Sequence, residues 1–476
     1  MKKKFYITTP IYYVNDKPHI GHAYTTIAAD VLARYYRQQD YDVFFLTGTD
    51  EHGDKVAESA EKQGIKVEEF VDQNAEEFKQ VFDHLDISYD IFMRTTDPVH
   101  KKSVDKFMLK LKEVDALYQG EYEGLYCRGC EDFLTEKELV DGKCPVHNKA
   151  PEVVKEKNWF FRLEKYLPQV KKLIASGKIK VMPVARKNEV LGLIKQNLKD
   201  FSVTRERVKW GLDFSVDQSQ KIYVWVEALQ NYISAIGYGR DEKEFNKWWP
   251  ADVHLMAKEI IKFHAIYWPA MLIAAGEKLP KIIYAHGFFS LDGKKMSKTL
   301  GNVINPNELI EEFGVDATRY LLLTQFPFGQ DGNIQRSLFK EKYNADLANN
   351  LGNLVSRVLN MIEKYTDGQI PKQVNSPIYL EPIGEKIENL QFDDALKKLW
   401  QAIAKANQVI DENEPWKMAK DPKKQTALED LLSDLASFLY DLAANIRPFM
   451  PHTAETIIGS LTSKKIIKGE PLFKRL

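Results

Sequence analysis

The rhythm of the first half of this chain constrains its fold more than any single motif does. Short runs rich in β-branched and aromatic residues ("FYITTPIYYV", "YDVFFLTGTD", "YDIFMRT") alternate with segments of helical period ("AYTTIAADVLARYYRQQ", "VEEFVDQNAEEFKQVFDHL"). Strands separated by helices of that length are joined by crossovers, which makes the strands parallel. The rhythm breaks between Tyr118 and about Arg186, then resumes with "KIYVWVEAL", "DVHLMA", "EIIKFHAIYWPAMLIAAG" and "KIIYAHGFFSL". A parallel α/β domain interrupted by an insertion is the simplest account. Beyond about Ser337 strands vanish. There, "DALKKLWQAIAKANQVIDEN" and "ALEDLLSDLASFLYDLAANI" space their apolar residues three and four apart, as in a helical bundle. The expected boundaries are residues 1–116 and 223–290 for the two halves of the α/β domain and 117–222 for the insertion, with a linker at 291–336 and the bundle at 337–476.

Charge and cysteine content narrow the function classes. Lys plus Arg number 67 against 68 Asp plus Glu, so no overall field advertises a nucleic-acid partner and any such partner must be met by a local patch. The opening "MKKKFYITTPIYYVND" imitates a signal peptide. No small-residue cleavage pattern follows, however, and charge returns at Asp16 and Lys17, so it reads as a first strand. No run approaches the roughly 18 apolar residues of a membrane span, and a soluble protein with no membrane partner is expected. The three cysteines, all between Cys127 and Cys144, do not make a disulfide framework and suggest metal in a reducing compartment, the cytoplasm.

Three motifs carry chemistry. His19-Ile20-Gly21-His22 falls where a strand gives way to a helix whose inward face holds Ile27, Ala28, Val31, Leu32 and Tyr35. Histidines three apart on a first helical turn face one ligand, and that turn favours an anion. Gly21 removes a side chain where a flat base could approach the backbone. Read alone, the two histidines could equally be polar caps. "FFSLDGKKMSKTLGNVI" sets Lys295 and Lys298 around Met296 and Ser297 on a loop after a strand, point charges suited to a polyphosphate or a pyrophosphate leaving group. A solvated basic loop is the plainer reading of those lysines. Neither G-x-x-x-x-G-K-[ST] nor G-x-G-x-x-G occurs, so phosphate handling must rest on something else. Finally, Cys127, Cys130, Cys144 and His147 form C-x2-C-x13-C-x2-H, a spacing suited to one closed tetrahedral zinc site that staples the insertion and activates no water. Buried free thiols beside an unrelated histidine are the alternative.

"HIGH" near the start and "KMSKT" far downstream resemble the HIGH and KMSKS signatures of class I aminoacyl-tRNA synthetases, and the single knuckle between the catalytic halves resembles the methionyl-tRNA synthetase family. The resemblance covers essentially the whole chain. It implies a Rossmann-like catalytic domain split by a small zinc-binding insertion and followed by an all-α anticodon-binding bundle. It also implies ATP-dependent ligation of methionine to tRNA(Met), elongator and initiator, through methionyl-adenylate, with Mg2+ accompanying ATP and one structural Zn2+. On that pattern His19, Gly21, His22, Lys258, Glu259, Lys295, Ser297 and Lys298 handle ATP, with both histidines and both lysines catalytic. Tyr13 packs on the amino acid and Asp50 binds its ammonium, which Ile11, Val224, Trp225, Ala228, Tyr232, Ile260, His264 and Trp268 complete into a methionine pocket. Aromatic walls suit a thioether, although an aromatic stripe on a helix usually belongs to a core. Asn353, Arg357 and Trp416 match the residues with which the family reads the anticodon, and stacking plus edge hydrogen bonds make that set chemically sufficient.

The chain departs from the family pattern at Ala257-Lys258-Glu259, where Gly-Lys-Asp is usual, at Glu227 for an aspartate, and at Thr299 for the last serine of KMSKS. The chain also stops soon after the bundle, without the dimerising module that many relatives append, so a monomer is expected. Two other readings remain at this point. One is a class I synthetase for another amino acid, disfavoured by the closed zinc pattern and the short insert; the other is a non-catalytic tRNA-binding paralogue, disfavoured by the intact histidines and lysines.

Overall fold

The structure is a computed structural model. It describes residues 2–129, 132–134, 136–145, 148–295, 303–370 and 380–476, with Lys295 and five residues of the insertion described by their backbone alone. The chain divides into two compact units, one of Met1–Pro18, Gln39–Asp83 and Ser88–His286, the other of His19–Gln38, His84–Ile87 and Gly287–Leu476.

The first unit is built on a six-stranded parallel sheet of β1 (Lys4–Tyr13), β2 (Asp42–Asp50), β3 (Ile91–Arg94), β4 (Lys180–Met182), β5 (Val253–Ala257) and β6 (Ile282–His286), in the order β3-β2-β1-β5-β6-β4. This is the parallel α/β sheet the strand–helix rhythm calls for. Its central strands are apolar in runs, with Phe5, Tyr6, Ile7, Phe45 and Leu46 all buried, because helices cover both faces of such a sheet. Helix Pro98–Glu113 contributes Val104, Phe107, Met108 and Leu111 from one stripe to this core. Each fully buried side chain of that size is worth roughly 1.5–3 kcal/mol.

Strand order reverses between β1 and β5, and at such a switch point a crevice opens beyond the carboxyl ends of the strands. Here the sequence helps to open it. Pro10 has no N–H to donate and cannot extend a ladder in a central strand. The β1–β5 ladder accordingly stops at Thr8 opposite His254, and the β1–β2 register shifts between Thr8 and Ile11.

Between β3 and β5 the chain leaves the parallel pattern. Leu117–Cys127 pairs antiparallel with Asp132–Leu134 and Glu152–Phe161, and the latter pairs with Phe201–Ser202. Within the stretch expected as the insertion, β4 returns to the main sheet and pairs in parallel with β6. Three residues are too few to print a strand period on a sequence, so nothing in "KVM" announces this.

The second unit contains α1 (Ile20–Gln38) and a small sheet in which Phe289–Leu291 pairs antiparallel with Lys294–Lys295 and parallel with Gly332–Ile334. The hairpin turns on Asp292-Gly293, both at positive φ (50° and 75°), the conformation an Asp-Gly pair adopts most readily. The bundle follows: a helix from Ser337 with a π-helical stretch at Tyr343–Gly352 runs into α2 (Asn353–Tyr365), then come α3 (Phe392–Asn413), α4 (Gln425–Ile446) and α5 (Pro451–Leu461). Leu354, Val355, Val358, Leu359 and Ile362 of α2 face inward.

One buried cation ties this unit together. Arg319, on helix Val315–Leu323, is wholly inaccessible to solvent. Its Nη2 meets Asp30 Oδ2 of α1 at 2.6 Å, and it donates to the carbonyls of Phe449 (2.9 Å), Leu85 (3.0 Å) and Pro448 (3.1 Å). Arg34 Nε reaches the same Asp30 oxygen at 2.7 Å. A buried charge costs several kcal/mol unless it is paired and hydrogen-bonded, as this one is.

Candidate active site

In the second unit the His19–His22 turn is preorganised by its own backbone. Gly21 N–H donates to His19 Nδ1 at 3.0 Å, His19 N–H donates to His22 Nδ1 at 3.2 Å, and the two rings stack 3.8 Å apart. Both rings are packed closely enough that burial lowers their pKa, His19 to about 4 and His22 well below its ordinary value. Neutral imidazoles whose Nδ1 accepts must carry the proton on Nε2. Each ring therefore offers one N–H donor and no charge near pH 7. Gly21 is required for a local reason: a Cβ there would sit 2.8 Å from His19 Cε1 and push the ring aside.

Both ends of the lysine loop are anchored on this turn. On the entry side the Phe289 ring packs edge-on against Tyr24 of α1, centroids 5.5 Å apart. On the exit side Ile20 N–H donates to Ile304 O at 3.1 Å. Ser297 and Lys298, together with the Lys295 side chain, lie outside the described residues, but the segments flanking them meet the first residues of α1.

In the first unit the crevice residues come from four elements. Ile11 and Tyr13 end β1, Asp50 ends β2, helix Val224–Leu229 brings Val224, Trp225 and Ala228, and the segment after β5 brings Ile260, His264 and Trp268. A small cavity, with room of about 10 Å³, is lined by Pro10, Ile11, Asp50, Trp225, Ala228, Leu229, Asn231, Tyr232 and His264. Tyr13 and Ile260 are half-buried, Val224 is buried, and none of the three lines that cavity. Trp268 lies a layer deeper, fully buried, with Tyr232 6.3 Å away ring to ring. Trp225 stacks flat on Phe263 at 4.2 Å. Lys258 and Glu259 occupy the turn that follows β5, Glu259 exposed.

The polar edge of this cavity is settled by one histidine. Burial lowers the His264 pKa to about 4, so its ring is neutral. Its Nδ1–H donates to Ile260 O at 3.0 Å, which leaves Nε2 to accept from the Tyr232 hydroxyl at 2.7 Å. With both nitrogens engaged, the ring presents an uncharged wall. Asp50, 5% exposed, supplies a carboxylate to the same lining.

Sequence reasoning did not find what lies behind the cavity. Glu227, wholly buried, places Oε1 2.7 Å from His52 Nδ1 and Oε2 3.7 Å from His100 Nε2. His52 stands just past the strand that ends at Asp50, yet no local pattern can reveal a partner 175 residues away.

In the bundle Asn353 is exposed on α2 and Arg357 sits one turn on, its Nη2 2.5 Å from Asp411 Oδ1 of α3. They line an open groove with Asn349, Asn350, Asn407 and Gln408. Asn407 Nδ2 donates to Asn350 Oδ1 at 3.1 Å. Trp416 is 41% exposed on the short helix Pro415–Met418, where Glu414 at φ 48° ends α3 and Pro415 starts the next turn at once. By contrast Trp400 is buried and stacked on Tyr320 at 4.4 Å. In the insertion Cys127 and Cys144 are both buried; Cys130 and His147 lie outside the described residues.

Comparison with known proteins agrees with this architecture over the length of the chain. The family described as tRNA synthetases class I (M) matches residues 5–150 and 135–359. The methionine–tRNA ligase of Caldanaerobacter subterraneus subsp. tengcongensis is 47% identical over 97% of this chain and 74% of its own length. That of Clostridium acetobutylicum is 45% identical over 100% of this chain and 78% of its own. Among solved structures, Mycobacterium tuberculosis methionyl-tRNA synthetase in complex with methionyl-adenylate superimposes with a TM-score of 0.93 at 35% identity, covering 99% of this chain and 98% of that one. The chain belongs to the class I tRNA synthetase family, in its methionine branch.

Proposed function

We infer that the chain joins methionine to tRNA in two ATP-dependent steps and that the residues above divide the work. In the first step the methionine carboxylate attacks the α-phosphate of ATP, forming methionyl-adenylate and expelling pyrophosphate. In the second, the 2′-hydroxyl of the terminal adenosine of tRNA(Met) takes the methionyl group and AMP leaves. Catalysis of such a displacement is positioning and charge stabilisation rather than covalent chemistry by the protein. Mg2+ bound with ATP neutralises part of the phosphate charge.

The observation that carries this reading is the joint anchoring of the lysine loop on the His19–His22 turn, through Tyr24 with Phe289 and Ile20 with Ile304. It supports a single phosphate clamp in which the two Nε2–H groups of His19 and His22 donate as charge builds. Gly21 gives their rings room, and Lys295, Ser297 and Lys298 close on the departing pyrophosphate. Lys258 and Glu259 would hold the ribose, with the glutamate standing a methylene farther out than the usual aspartate. Asp50 accepts from the substrate ammonium. Ile11, Tyr13, Val224, Trp225, Ala228, Tyr232, Ile260, His264 and Trp268 shape the thioether site, kept apolar by the saturated His264 ring.

Pyrophosphate exchange measured with each of the twenty amino acids tests the assignment: methionine alone should support it, and exchange with another amino acid or with none would overturn it. Lys298→Ala should cut the methionine-dependent rate about 100-fold with the KM for methionine within twofold, the loss expected for one charged group acting on the transition state. Unchanged kinetics would return the loop to solvent.

For recognition of tRNA(Met) we assign Asn353, Arg357 and Trp416 to the anticodon bases. The exposed indole and the guanidinium supply stacking planes, and the asparagine supplies an edge for hydrogen bonds. For the insertion we assign one structural zinc to Cys127, Cys130, Cys144 and His147. The two described thiols fit such a site. Cys127 is 4% and Cys144 1% exposed, and the Cys144 carbonyl accepts from Asn148 N–H at 2.8 Å. Soft sulfur donors kept from water suit Zn2+. We also read the protein as a cytoplasmic monomer. Native mass spectrometry should return one chain carrying one zinc; a metal-free folded chain would remove the knuckle, and a two-chain mass would remove the monomer.

A further inference from the structure

Behind the cavity, two elements that line it are fastened to each other by one buried carboxylate. On helix Val224–Leu229, Trp225 and Ala228 face the cavity, while Glu227 is rotated away from Trp225 by nearly half a turn. It reaches His52, two residues after Asp50, with a 2.7 Å contact between Oε1 and Nδ1. Its other oxygen faces His100 Nε2 at 3.7 Å, and His100 Nδ1 is held by Ser234 Oγ at 2.8 Å on the short helix that also carries Tyr232. The carboxylate that would meet the substrate ammonium and the aromatic that would meet the thioether are therefore braced through Glu227.

We propose that Glu227, with His52 and His100, is a positioning group that sets methionine affinity by holding the Asp50 loop and the Trp225 helix in register. The inference rests on the methionine-binding reading given above. It concerns residues that touch no substrate atom in that reading.

The surroundings keep the brace ionic. Burial works against a charged His52, but the Glu227 carboxylate and its hydrogen bond outweigh it and raise the imidazole above its ordinary value; Glu51 adds to this and Lys221 opposes it. Burial works against a charged Glu227 as well, but the charge on His52 and its hydrogen bond, with His100 3.7 Å away, outweigh it and hold the carboxylate below its ordinary value. The other groups facing the pair are already committed. Glu51 takes Arg94 Nε at 2.7 Å and Nη2 at 3.0 Å, Arg94 also meets Asp72 at 2.5 Å, Thr95 Oγ1 lies 3.3 Å from His52 Nδ1, and Trp210 packs on the ring at 5.4 Å. The sign follows. The brace is intact below the ordinary histidine value of about 6.5, persists above it because His52 is raised, and is lost as pH climbs through the raised value.

The test is the KM for methionine against kcat in pyrophosphate exchange from pH 6 to 9, for the unmodified enzyme and for Glu227→Gln, Glu227→Asp and His52→Gln. Glu227→Gln and His52→Gln should raise the methionine KM about tenfold at pH 7 with kcat and the ATP KM within twofold, and should lack the alkaline rise in KM expected of the unmodified enzyme. Glu227→Asp, which keeps the charge, should keep that rise. The substrate ammonium titrates alike in every variant, so the difference between curves reports the brace. Unchanged methionine KM in both neutral variants, or equal losses in kcat and both KM values, would overturn the proposal while leaving the methionine assignment standing. No methionine-dependent exchange by the unmodified enzyme would overturn both. Should Glu227→Gln melt below the assay temperature, His52→Gln alone decides by the same criteria.

Discussion

Replacing His22 by alanine is expected to lower methionine-dependent pyrophosphate exchange about 100- to 1000-fold, the range seen when one preorganised donor to a developing negative charge is removed. His22 Nδ1 is occupied by the His19 N–H, and burial keeps the ring neutral, so the group it offers is Nε2–H. The methionine KM should change by less than twofold, because the group acts on phosphate charge that grows only as the bond breaks. His22→Gln, whose amide can place an N–H near the same position, should recover part of the rate. A second consequence is that kcat of the unmodified enzyme stays flat as pH rises through about 6.5, where an ordinary imidazolium would lose its proton. A fall in kcat through that range would make the imidazolium the working form and refute the neutral-donor account. Stability carries its own signature. His19 and His264 are lowered to about 4, and His22 and His254 are lowered as well, so between about 4 and 6.5 the unfolded chain binds protons that the folded chain does not. Stability should therefore rise with pH across that window.

Trp416→Ala is expected to separate the two steps of the reaction. Stacking of a base on an aromatic ring is worth about 1–3 kcal/mol, which corresponds to roughly a 5- to 150-fold loss in kcat/KM for tRNA. Exchange in the absence of tRNA should stay within twofold. Little packing is lost by the truncation, since the indole is 41% exposed on a short surface helix. Trp416→Phe should restore most of the charging activity because it keeps a stacking plane. Parallel loss of charging and exchange, with a lowered melting temperature, would make Trp416 a packing residue.

What the sequence disclosed follows from which signals are local. The strand–helix alternation, the switch to three- and four-residue spacing and the HIGH, KMSKT and cysteine spacings are all contiguous patterns. They suffice for the parallel sheet, the bundle and membership of the synthetase family. The protonation state of the two histidines was not legible, because it depends on burial and on backbone donors at Gly21 and His19. Gly21 itself was readable as a necessary gap; that the His19 ring lies against it was not. Nor could any local pattern disclose that His52 pairs with Glu227 or that Asp30 pairs with Arg319; in both cases the partners are brought together only by the finished fold. Strand β4 shows the opposite limit, an element too short to carry a period at all.

The Arg319 cluster bears on how this protein can be divided. Read as sequence, the bundle looks like an appendage that could be clipped from the catalytic part. Two of the carbonyls that accept from Arg319, those of Pro448 and Phe449, come from the far end of that bundle, while its counter-ion Asp30 sits on the helix that opens with the histidine motif. A chain cut after residue 336 would keep both charges and the Leu85 carbonyl but lose the other two carbonyls that Arg319 donates to, at a cost of about 1–3 kcal/mol for each buried donor left unmet. The C-terminal bundle is thus part of the scaffold on which α1 rests, and a design that removes it has to rewrite positions 30 and 319 as well.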